Sequence, residues 1–546
     1  MIVTLDGKEY EFSEGEKYED ILKRSGITDK VLGIRTAGVT RSLAESPFDG
    51  EKSQLLTFRD TEGRLIYERS LRYIFVLAVH QLFPNRRVRV EHSVGDGVYC
   101  EVKGSRNSLT IRDVHALERN MQEIVRRNIP FVRTGVSKRD AMAYYENLGQ
   151  SDKVDLLAYR PYDTFTLYRL DDMMEYFYGV MVPSTGYVDV FALHLSLPGL
   201  VLQMPGYGDG RTLTPMRSIP KVMNAFAQSA KNDIILRCSN TADLNAMVRG
   251  GEVRELIRIN EAMHDRAITR IADSFMESGA RVLLIAGPSS SGKTTFANRL
   301  SIALKVLGMR PVALSLDDYY KNRDAAPLDE NGEPDFERLD ALDVPLFNDH
   351  LVRLLQGEPV CTPRFDFKTG KRSSENHLMH VDADQPIIIE GIHGLNDELT
   401  ADVARNLKFK VYVSALTTLN LDDHNRIRTT EVRLLRRIVR DYMTRGTTPE
   451  DTMKMWHSVR RGEEAYIFPF QEEADVVFNS SLVYEIALLK KYAYPMLKEI
   501  KPESECYTTA GRMLKFLNYF VESDAEDEVP LNSILREFIG GSCFYK

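Results

Sequence analysis

Apolar and polar residues alternate along the first dozen positions, MIVTLDGKEYEF, with Asp6-Gly7 in the middle. Such alternation around an Asp-Gly pair is typical of a β-hairpin. Residues 17–26, KYEDILKRSG, then show helical spacing that ends in glycine, and short strand-like pieces follow. The pattern predicts a small β-grasp module over residues 1–60.

The next part of the chain mixes helical and strand patterns. The run SLRYIFVLAVHQLF (70–83) predicts one strong helix, and alternating segments with turn signals surround it. This combination over residues 61–235 predicts an α+β domain. Residues 236–278 are polar with helical spacing, and we interpret them as a helical connector.

From Arg281 onwards, predicted strands alternate with predicted helices. This order is typical of a parallel sheet with crossover helices, so residues 279–502 are expected to form an α/β domain. Residues 503–546 are treated as a carboxyl-terminal extension, in which ESDAEDE (522–528) is interpreted as a solvated loop. The predicted fold class is therefore multidomain, with α+β and α/β parts.

Composition narrows the class of protein only a little. A chain of 546 residues suits three or four domains, and a formal net charge of −8 argues against a nucleic-acid footprint over the whole chain. The five cysteines are scattered without a C-x-x-C pair, which suits a reducing compartment. The longest clean apolar run, 73–79, is too short for a bilayer, so a cytoplasmic location is expected.

A glycine-rich motif carries the clearest chemistry. Residues 287–295, GPSSSGKTT, follow the apolar run 282–286 and precede an amphipathic helical pattern. Glycines let backbone N–H groups wrap around phosphate oxygens, and the following helix presents its positive end to the anion. In such a loop Lys293 reaches the β- and γ-phosphates and the Thr294 hydroxyl holds Mg²⁺. The predicted phosphate-binding residues are Gly287, Ser289, Ser290, Ser291, Gly292, Lys293, Thr294 and Thr295.

The next predicted strand, PVALSLDDYY (311–320), ends in two acids and two tyrosines. The carboxyl end of a parallel strand faces the ligand crevice, where a carboxylate can accept a proton from a hydroxyl that attacks the γ-phosphate. Because strand side chains alternate, only one of Asp317 and Asp318 is expected to face that crevice. An exposed acidic turn is the alternative. No guanine-reading N-K-x-D segment follows the glycine-rich loop, which argues against a GTPase.

Two later segments extend this picture. IIIEGIHGL (387–395) predicts a strand ending in Glu390, a second carboxylate near the metal. VRLLRRIVRDYMTRG (432–446) places four arginines at three- and four-residue spacing on a helix: Arg433, Arg436, Arg437 and Arg440. A solvated basic face is the ordinary interpretation of such a helix. Beside a phosphate-binding loop, a lid over phosphates is the alternative.

In these ordered motifs residues 281–480 resemble the uridine/cytidine kinases of the phosphoribulokinase/uridine kinase group. The resemblance implies ATP and Mg²⁺ as cofactors and a nucleoside as the small-molecule substrate. It implies that Asp317 is the general base for the 5′-hydroxyl, and that Glu337 and Arg437 hold the ribose hydroxyls. Lys293 would act with Asp317 in catalysis.

The same resemblance assigns the remaining site residues. Arg440 and Arg445 would be lid residues on the ATP phosphates, and Thr294 and Glu390 would lie at the metal. The implied base pocket and substrate segment comprise Tyr320, Phe336, Glu337, Phe365 and Phe367.

Three positions depart from the pattern of these kinases. Gly370 stands where a base-reading histidine is usual, Thr447 where the lid has an arginine, and Glu337 where aspartate contacts the ribose. Because long polar side chains are missing at these positions, the nucleobase of the substrate is not determined. A kinase of a non-nucleoside sugar or vitamin is a further alternative.

Residues 1–235 resemble the TGS and editing domains of threonyl-tRNA synthetases, through 69–102, 117–133 and 175–186. In the resemblance, the two active-site pairs of the editing domain fall on Arg69 and Tyr73 and on Phe177 and Met181. These side chains offer no metal-ligand or acid–base set, so the domain is expected to be inactive. RNA binding, regulation and self-association stay open for this half. An RNA- or ribosome-associated regulatory protein with an NTP switch is therefore the alternative from another class.

Overall fold

The computed structural model describes residues 1–104, 108–328, 332, 335–366, 369–373 and 377–545. Within these ranges, no helix combines the length and apolar character needed to cross a membrane. The fold mixes an amino-terminal α+β half with a carboxyl-terminal half built on a parallel sheet, which confirms the predicted fold class.

The first module is a five-stranded sheet, in the order β2-β1-β5-β3-β4, with one helix. The predicted hairpin forms at Asp6 and Gly7, both of which have positive φ angles, and the predicted helix ends at Gly26 in the left-handed conformation. Its elements are β1 (Ile2–Leu5), β2 (Lys8–Glu11), α1 (Tyr18–Ser25), β3 (Gly33–Thr36), β4 (Val39–Arg41) and β5 (Glu51–Leu56).

The second part surrounds one long buried helix, α2 (Thr61–Leu82), which contains the apolar run 73–79. Two antiparallel sheets, in the orders β11-β12-β7-β6 and β10-β9-β8, lie around it. The other elements are β6 (Arg87–Val94), β7 (Gly97–Lys103), α3 (Ile111–Arg126), β8 (Val132–Ser137), α4 (Lys138–Asn147), α5 (Ser151–Ala158), β9 (Thr164–Leu170), β10 (Met173–Glu175), β11 (Ala192–Ser196) and β12 (Gly199–Gln203).

Three helices connect the two halves: α6 (Pro220–Leu236), α7 (Thr241–Gly250) and α8 (Val253–Ser278). Helix α8 is more than a spacer. Its side chains Ile257, Ile268 and Phe275 are buried in the same apolar cluster as Phe296 and Leu300 of the helix that follows the glycine-rich loop.

The carboxyl-terminal half is built on a five-stranded parallel sheet in the order β14-β19-β13-β20-β23. The central strand β13 leads into the glycine-rich loop. Strands β19 and β14 run parallel to β13 on one side of it, so their carboxyl ends lie at the same edge of the sheet as the loop. Its elements are β13 (Val282–Ala286), α9 (Lys293–Val306), β14 (Val312–Ser315), α10 (Val344–Leu355), β15 (Val360–Thr362), β16 (Phe365–Asp366), β17 (Lys371–Arg372), β18 (His377–Met379), β19 (Ile387–Glu390), β20 (Lys408–Ser414), β21 (Asn420–Asp422), β22 (Asn425–Arg426), α11 (Thr429–Arg445), α12 (Pro449–Tyr466), β23 (Val476–Asn479), α13 (Glu485–Lys498), α14 (Tyr507–Leu517) and α15 (Arg536–Ile539).

The hairpin β21–β22 of the second half inserts into the first half. The Val90 N–H of β6 donates to the Asp423 carbonyl at 2.8 Å, and the Asn420 amide donates to the Val90 carbonyl at 2.7 Å. Helix α11 begins three residues after this hairpin, at Thr429. The amino-terminal half thus holds the segment that leads directly into the arginine helix.

Buried ion pairs fix the hairpin in place. Glu68 of α2 accepts from Arg426 at 3.2 Å and from Arg428 at 2.5 Å. Burial alone would raise the pKa of Glu68, but Arg426, Arg428 and Arg72 together hold that pKa well below its usual range. A second buried ion pair joins the two halves. The Lys153 ammonium lies 2.8 Å from the carboxylate of Glu175 in the first half and 2.9 Å from that of Asp422 in the hairpin.

The four positions that align with the editing pairs are all buried beside this hairpin. Arg69 donates to the Val180 carbonyl, and the Tyr73 hydroxyl lies 2.8 Å from the Tyr168 carbonyl oxygen. The ring of Phe177 stacks at 6.4 Å on His424 of the hairpin, and Met181 is fully buried. These positions form packed interior rather than an open cleft.

In the acidic stretch 522–528, Glu522, Asp524 and Asp527 are exposed as expected, but other residues of the stretch contact the rest of the second half. Glu528 pairs with Arg254 at 3.0 Å and with Arg258 at 2.8 Å, both on α8. Glu526 pairs with Lys491 at 3.1 Å, and Ala525 is fully buried. These ion pairs are largely exposed and contribute little to stability, so buried side chains such as Ala525 and Val529 attach the extension to the body of the second half.

Candidate functional site

The glycine-rich loop has the backbone conformation of an anion cradle. Ser290 and Gly292 adopt φ angles of 59° and 81°, which turn successive N–H groups towards one side. Helix α9 starts directly afterwards at Lys293, so its free N–H groups face the same space. A Cβ on Gly287 would overlap the Val413 carbonyl oxygen, and this position therefore requires glycine.

Two arginines of α11 support this loop from below instead of facing solvent. Arg433 donates to the Ser289 carbonyl at 3.0 Å and forms a two-pronged ion pair with Glu463 of α12. Glu463 in turn accepts from the Ser289 N–H at 3.0 Å. Arg436 pairs with Glu485 at 2.5 Å and donates to the Ser480 carbonyl at 2.8 Å.

The solvated basic face is therefore the wrong interpretation for this part of α11. Arg433 and Arg436 have 1% and 0% of their side-chain surface exposed. A buried guanidinium is stable only with a charged partner and further hydrogen bonds, and each of these has both.

The other arginines of α11 converge on a single buried acid, Asp441. Arg437 lies 3.2 Å from it, Arg440 donates to it at 2.8 Å, and Arg445 lies 3.6 Å away. Arg437 also donates to the Ser289 hydroxyl at 2.7 Å. Burial lowers the pKa of Arg437 and Arg445, and neighbouring arginines contribute to the shift. Three arginines around the single carboxylate of Asp441 leave a net positive charge beside the glycine-rich loop.

Asp317 lies in a turn, whereas the sequence pattern placed it on the end of a strand. Strand β14 ends at Ser315, and residues 316–319 form a 3₁₀ turn instead of continuing the strand. The Ser315 hydroxyl accepts from the Asp317 N–H at 3.3 Å and stabilises this turn. Asp318 is directed elsewhere, because its carboxylate accepts from the Phe365 N–H at 3.3 Å.

The electrostatic surroundings of Asp317 suit a proton acceptor. Its position in the crevice raises its pKa by desolvation, an effect that Lys293 opposes and Asp318 reinforces. The positive charge of Arg445 also acts on it. Asp317 thus keeps contact with solvent while Lys293 of α9 and Arg445 of α11 act on its charge.

Glu390 and Thr294, the two residues that the resemblance assigns to the metal, are neighbours in the structure. The Thr294 hydroxyl donates to Glu390 at 3.3 Å, and burial raises the pKa of Glu390 to about 7 despite the nearby Lys293. Among the described residues, no group of three or more histidine, cysteine, aspartate or glutamate side chains could hold a metal by itself. One carboxylate and one hydroxyl fit Mg²⁺, which usually keeps several waters and binds phosphate oxygens.

A second wall of the crevice carries Glu337. Burial and the neighbouring Glu463 raise its pKa to about 7, while Arg437 and Lys293 act in the opposite direction. The aromatic residues predicted for the pocket cluster next to it. Tyr320 packs against Phe336 and Phe365 with ring centroids 5.8 and 5.7 Å apart. Phe367 lies outside the described residues.

The departures from the kinase pattern have local structural explanations. Gly370 has a φ angle of 68° in the turn between β16 and β17, and a Cβ there would lie 3.1 Å from Arg323 Nε. Thr447 follows the end of α11, and its N–H donates to the Asp441 carbonyl at 3.1 Å.

Two residues of this site were not found from the sequence. Glu463 supports the loop through Ser289 and Arg433, and Glu537 of α15 accepts from the Thr295 hydroxyl at 2.7 Å. Glu463 stands two residues after Arg461 in the charged segment RRGEE (460–464), and nothing in that pattern marks it as a residue of the site. Glu537 lies in the extension, far from every recognised motif.

The comparisons with known proteins agree with this arrangement. Residues 282–487 match the model of the phosphoribulokinase / uridine kinase family. A uridine kinase from Bacillus pumilus is 34% identical over 203 residues, which are 37% of this chain and 87% of that protein. The chain belongs to the phosphoribulokinase / uridine kinase family, and its carboxyl-terminal half is a P-loop kinase domain of the class that phosphorylates an alcohol.

One solved structure, described as a possible uridine kinase from Bacillus stearothermophilus, covers 39% of this chain and 97% of its own, with 23% identity and a TM-score of 0.27. The amino-terminal half has different relatives. A threonine–tRNA ligase from Methylobacillus flagellatus is 30% identical over 191 residues, which are 34% of this chain. The chain spans only 30% of the length of that ligase.

Proposed function

We propose that this protein is an ATP- and Mg²⁺-dependent kinase that transfers the γ-phosphoryl group to the 5′-hydroxyl of a nucleoside. The observation that carries the proposal is that the charge of Lys293 acts on both Asp317 and Glu337, and that Arg437 also acts on Glu337. A nucleotide switch needs the phosphate cradle and the metal ligands. It does not need a second wall with a carboxylate–guanidinium pair.

The proposed step follows from these groups. The substrate hydroxyl attacks the γ-phosphorus, its proton passes to the Asp317 carboxylate, and ADP leaves as the bond to the β-phosphate oxygen breaks. Lys293 and the arginines around Asp441 face the charge that develops on the phosphoryl oxygens. Mg²⁺, when bound, would neutralise charge on the β- and γ-phosphates, and Thr294 and Glu390 are the residues that would hold it.

Glu337 and Arg437 are proposed to hold two vicinal hydroxyls of the substrate. A carboxylate accepts from both hydroxyls, while a guanidinium donates to their oxygens, so the pair recognises a diol. Tyr320, Phe336 and Phe365 supply an apolar aromatic surface for a flat base. This combination favours a nucleoside over a sugar that lacks an aromatic group.

A panel of substrates tests this proposal. Purified protein with ATP and Mg²⁺ is mixed in turn with uridine, cytidine, adenosine, guanosine and simple sugars, and release of ADP is followed. We expect turnover with nucleosides and weak discrimination among bases, because Gly370 and Thr447 provide no side-chain donors of the usual length to read a base edge. Turnover with sugars alone, or with no acceptor, would contradict the proposal.

The affinity for Mg²⁺ is expected to fall as the pH drops below 7. The pKa of Glu390 is raised to about 7 by burial, so its carboxyl group is protonated below that pH, and a metal requires the deprotonated form. The loss approaches about tenfold per pH unit for a single proton. Titration of Mg²⁺ in the presence of a non-hydrolysable ATP analogue, at pH 6 and pH 8, measures the effect.

ATP phosphates titrate in the same range, so a matched variant is needed. In Glu390→Gln the part of the pH dependence that belongs to the protein is expected to disappear, while the part that belongs to the nucleotide persists. An identical pH dependence in the two proteins would show that Glu390 is not the group that titrates.

A further inference from the structure

Residues 529–545, which we name the strap, lie directly against the phosphate-binding loop. Ile534, Leu535 and Phe538 of the strap are buried in the main apolar cluster. Ile534 covers Gly292, since a Cβ on this glycine would lie 2.5 Å from Ile534 Cγ2. The guanidinium of Arg436, under the loop, lies 4.9 Å from the centre of the Phe538 ring. The strap is therefore an integral part of the wall around the loop.

One charged group of the strap reaches the donors of the loop itself. The Glu537 carboxylate accepts from the Thr295 hydroxyl at 2.7 Å, and the Thr295 N–H lies 3.4 Å from the same oxygen. The Tyr545 hydroxyl is 3.3 Å from the Thr295 hydroxyl. Thr295 is the third residue of α9, so its N–H is one of the free donors at the positive end of a helix.

In a loop of this type the free N–H groups bind oxygens of the α- and β-phosphates. Glu537 presents an anionic oxygen to the same kind of donor, as a phosphate would. By contrast, the hydroxyls of Ser290 and Ser291 are buried and have no hydrogen-bond partner among the described residues. The loop thus has hydroxyls without hydrogen-bond partners at Ser290 and Ser291, whereas at Thr295, in the first turn of α9, the Glu537 carboxylate accepts the hydrogen bonds.

We propose that the strap competes with the nucleotide, with Glu537 occupying the Thr295 donors until a phosphate group displaces its carboxylate. The proposal rests on the proposed function, since it assumes that the loop binds a nucleoside triphosphate. Displacement is needed because Glu537 and a polyphosphate carry the same sign of charge at the same donors. The contact between Glu537 and Thr295 therefore keeps the affinity for nucleotide below the affinity that the loop would have without the strap.

The test compares nucleotide affinity in the wild type, Glu537→Gln and Asp524→Asn. Glutamine keeps the size and the hydrogen-bond acceptor but removes the negative charge, while Asp524 is an exposed acid on the same extension and serves as the matched control. ADP is titrated into each protein, and the fluorescence of Trp456, the single tryptophan, is followed, because its ring lies 5.3 Å from Arg433 under the loop.

We expect Glu537→Gln to bind ADP about three- to tenfold more tightly, because a charge-assisted hydrogen bond and a repulsion are removed together. Asp524→Asn is expected to match the wild type. Hydrogen exchange of the strap gives a second readout, in which ADP increases exchange across residues 529–545 in the wild type.

Equal or weaker binding of ADP by Glu537→Gln, in a protein with the thermal stability of the wild type, would overturn the proposal. So would a strap whose exchange slows when ADP binds. If none of the three proteins binds ADP, or ATP with Mg²⁺, at millimolar concentrations, the proposed function itself fails and the strap proposal falls with it. A tighter Glu537→Gln variant that phosphorylates no nucleoside would support the strap and contradict only the substrate assignment.

Discussion

Replacing Asp317 with asparagine is expected to lower kcat by about 10²–10⁴ and to leave the affinity for ATP nearly unchanged. Asparagine keeps the size and the hydrogen bonding of the side chain but cannot accept the proton of the attacking hydroxyl. The raised pKa of Asp317 strengthens it as a base in the crevice. Because phosphoryl transfer depends largely on positioning, the loss is expected towards the lower end of that range.

Asp318→Asn is the matched control for this experiment. Asp318 accepts from the Phe365 N–H at 3.3 Å, so it supports the pocket rather than facing the phosphate loop. Its replacement is expected to change kcat by less than about tenfold, because an amide oxygen still accepts that hydrogen bond. Steady-state kinetics at saturating ATP give kcat for both variants, and the two values are compared. If Asp318→Asn is the more damaged of the two, the base has been assigned to the wrong residue.

The second large effect is expected from Arg436→Met, which should lower the free energy of unfolding by about 3–5 kcal/mol. The guanidinium of Arg436 and the carboxylate of Glu485 are fully buried and lie 2.5 Å apart. Removing the cation leaves the buried Glu485 carboxylate without a counter-charge, with only the Leu482 N–H and the Ser481 hydroxyl as donors among the described residues, and this is far more costly than removing an exposed charge. Urea unfolding followed by Trp456 fluorescence reports on this half of the chain.

Two further variants make this measurement specific. Arg310→Met removes an exposed arginine and is expected to change stability by less than about 0.5 kcal/mol. Adding Glu485→Gln to Arg436→Met removes the stranded charge and should recover much of the lost stability. If Arg436→Met alone is as stable as the wild type, the ion pair between Arg436 and Glu485 is not needed to hold α11 against the loop.

The elements nearest the phosphate loop could be predicted because their signals are local. The apolar run before GPSSSGKTT and the helical spacing after it define β13 and α9, and the alternation of later segments predicts the parallel sheet. The 3₁₀ turn at Asp317 was missed, although its signal is also local. Ser315 stands two residues before Asp317, and a serine hydroxyl often accepts from the backbone in such a turn.

The role of α11 could not be predicted in the same way. The sequence shows arginines at helical spacing, but the carboxylates that pair with Arg433 and Arg436 come 30 and 49 residues later. A basic helix face looks solvated until those partners are known. The contact of Glu537 with Thr295 spans 242 residues, so only the three-dimensional structure reveals it.

The hairpin β21–β22 also bears on why the two halves have stayed in one chain. It packs against the ring of Phe177 in the first half, and its Arg426 pairs with the buried Glu68. The first half thereby serves as a scaffold for the segment that leads into α11. Separating the two halves would expose the hairpin and leave buried charges unpaired on both sides, which gives a physical reason for the halves to remain in one chain.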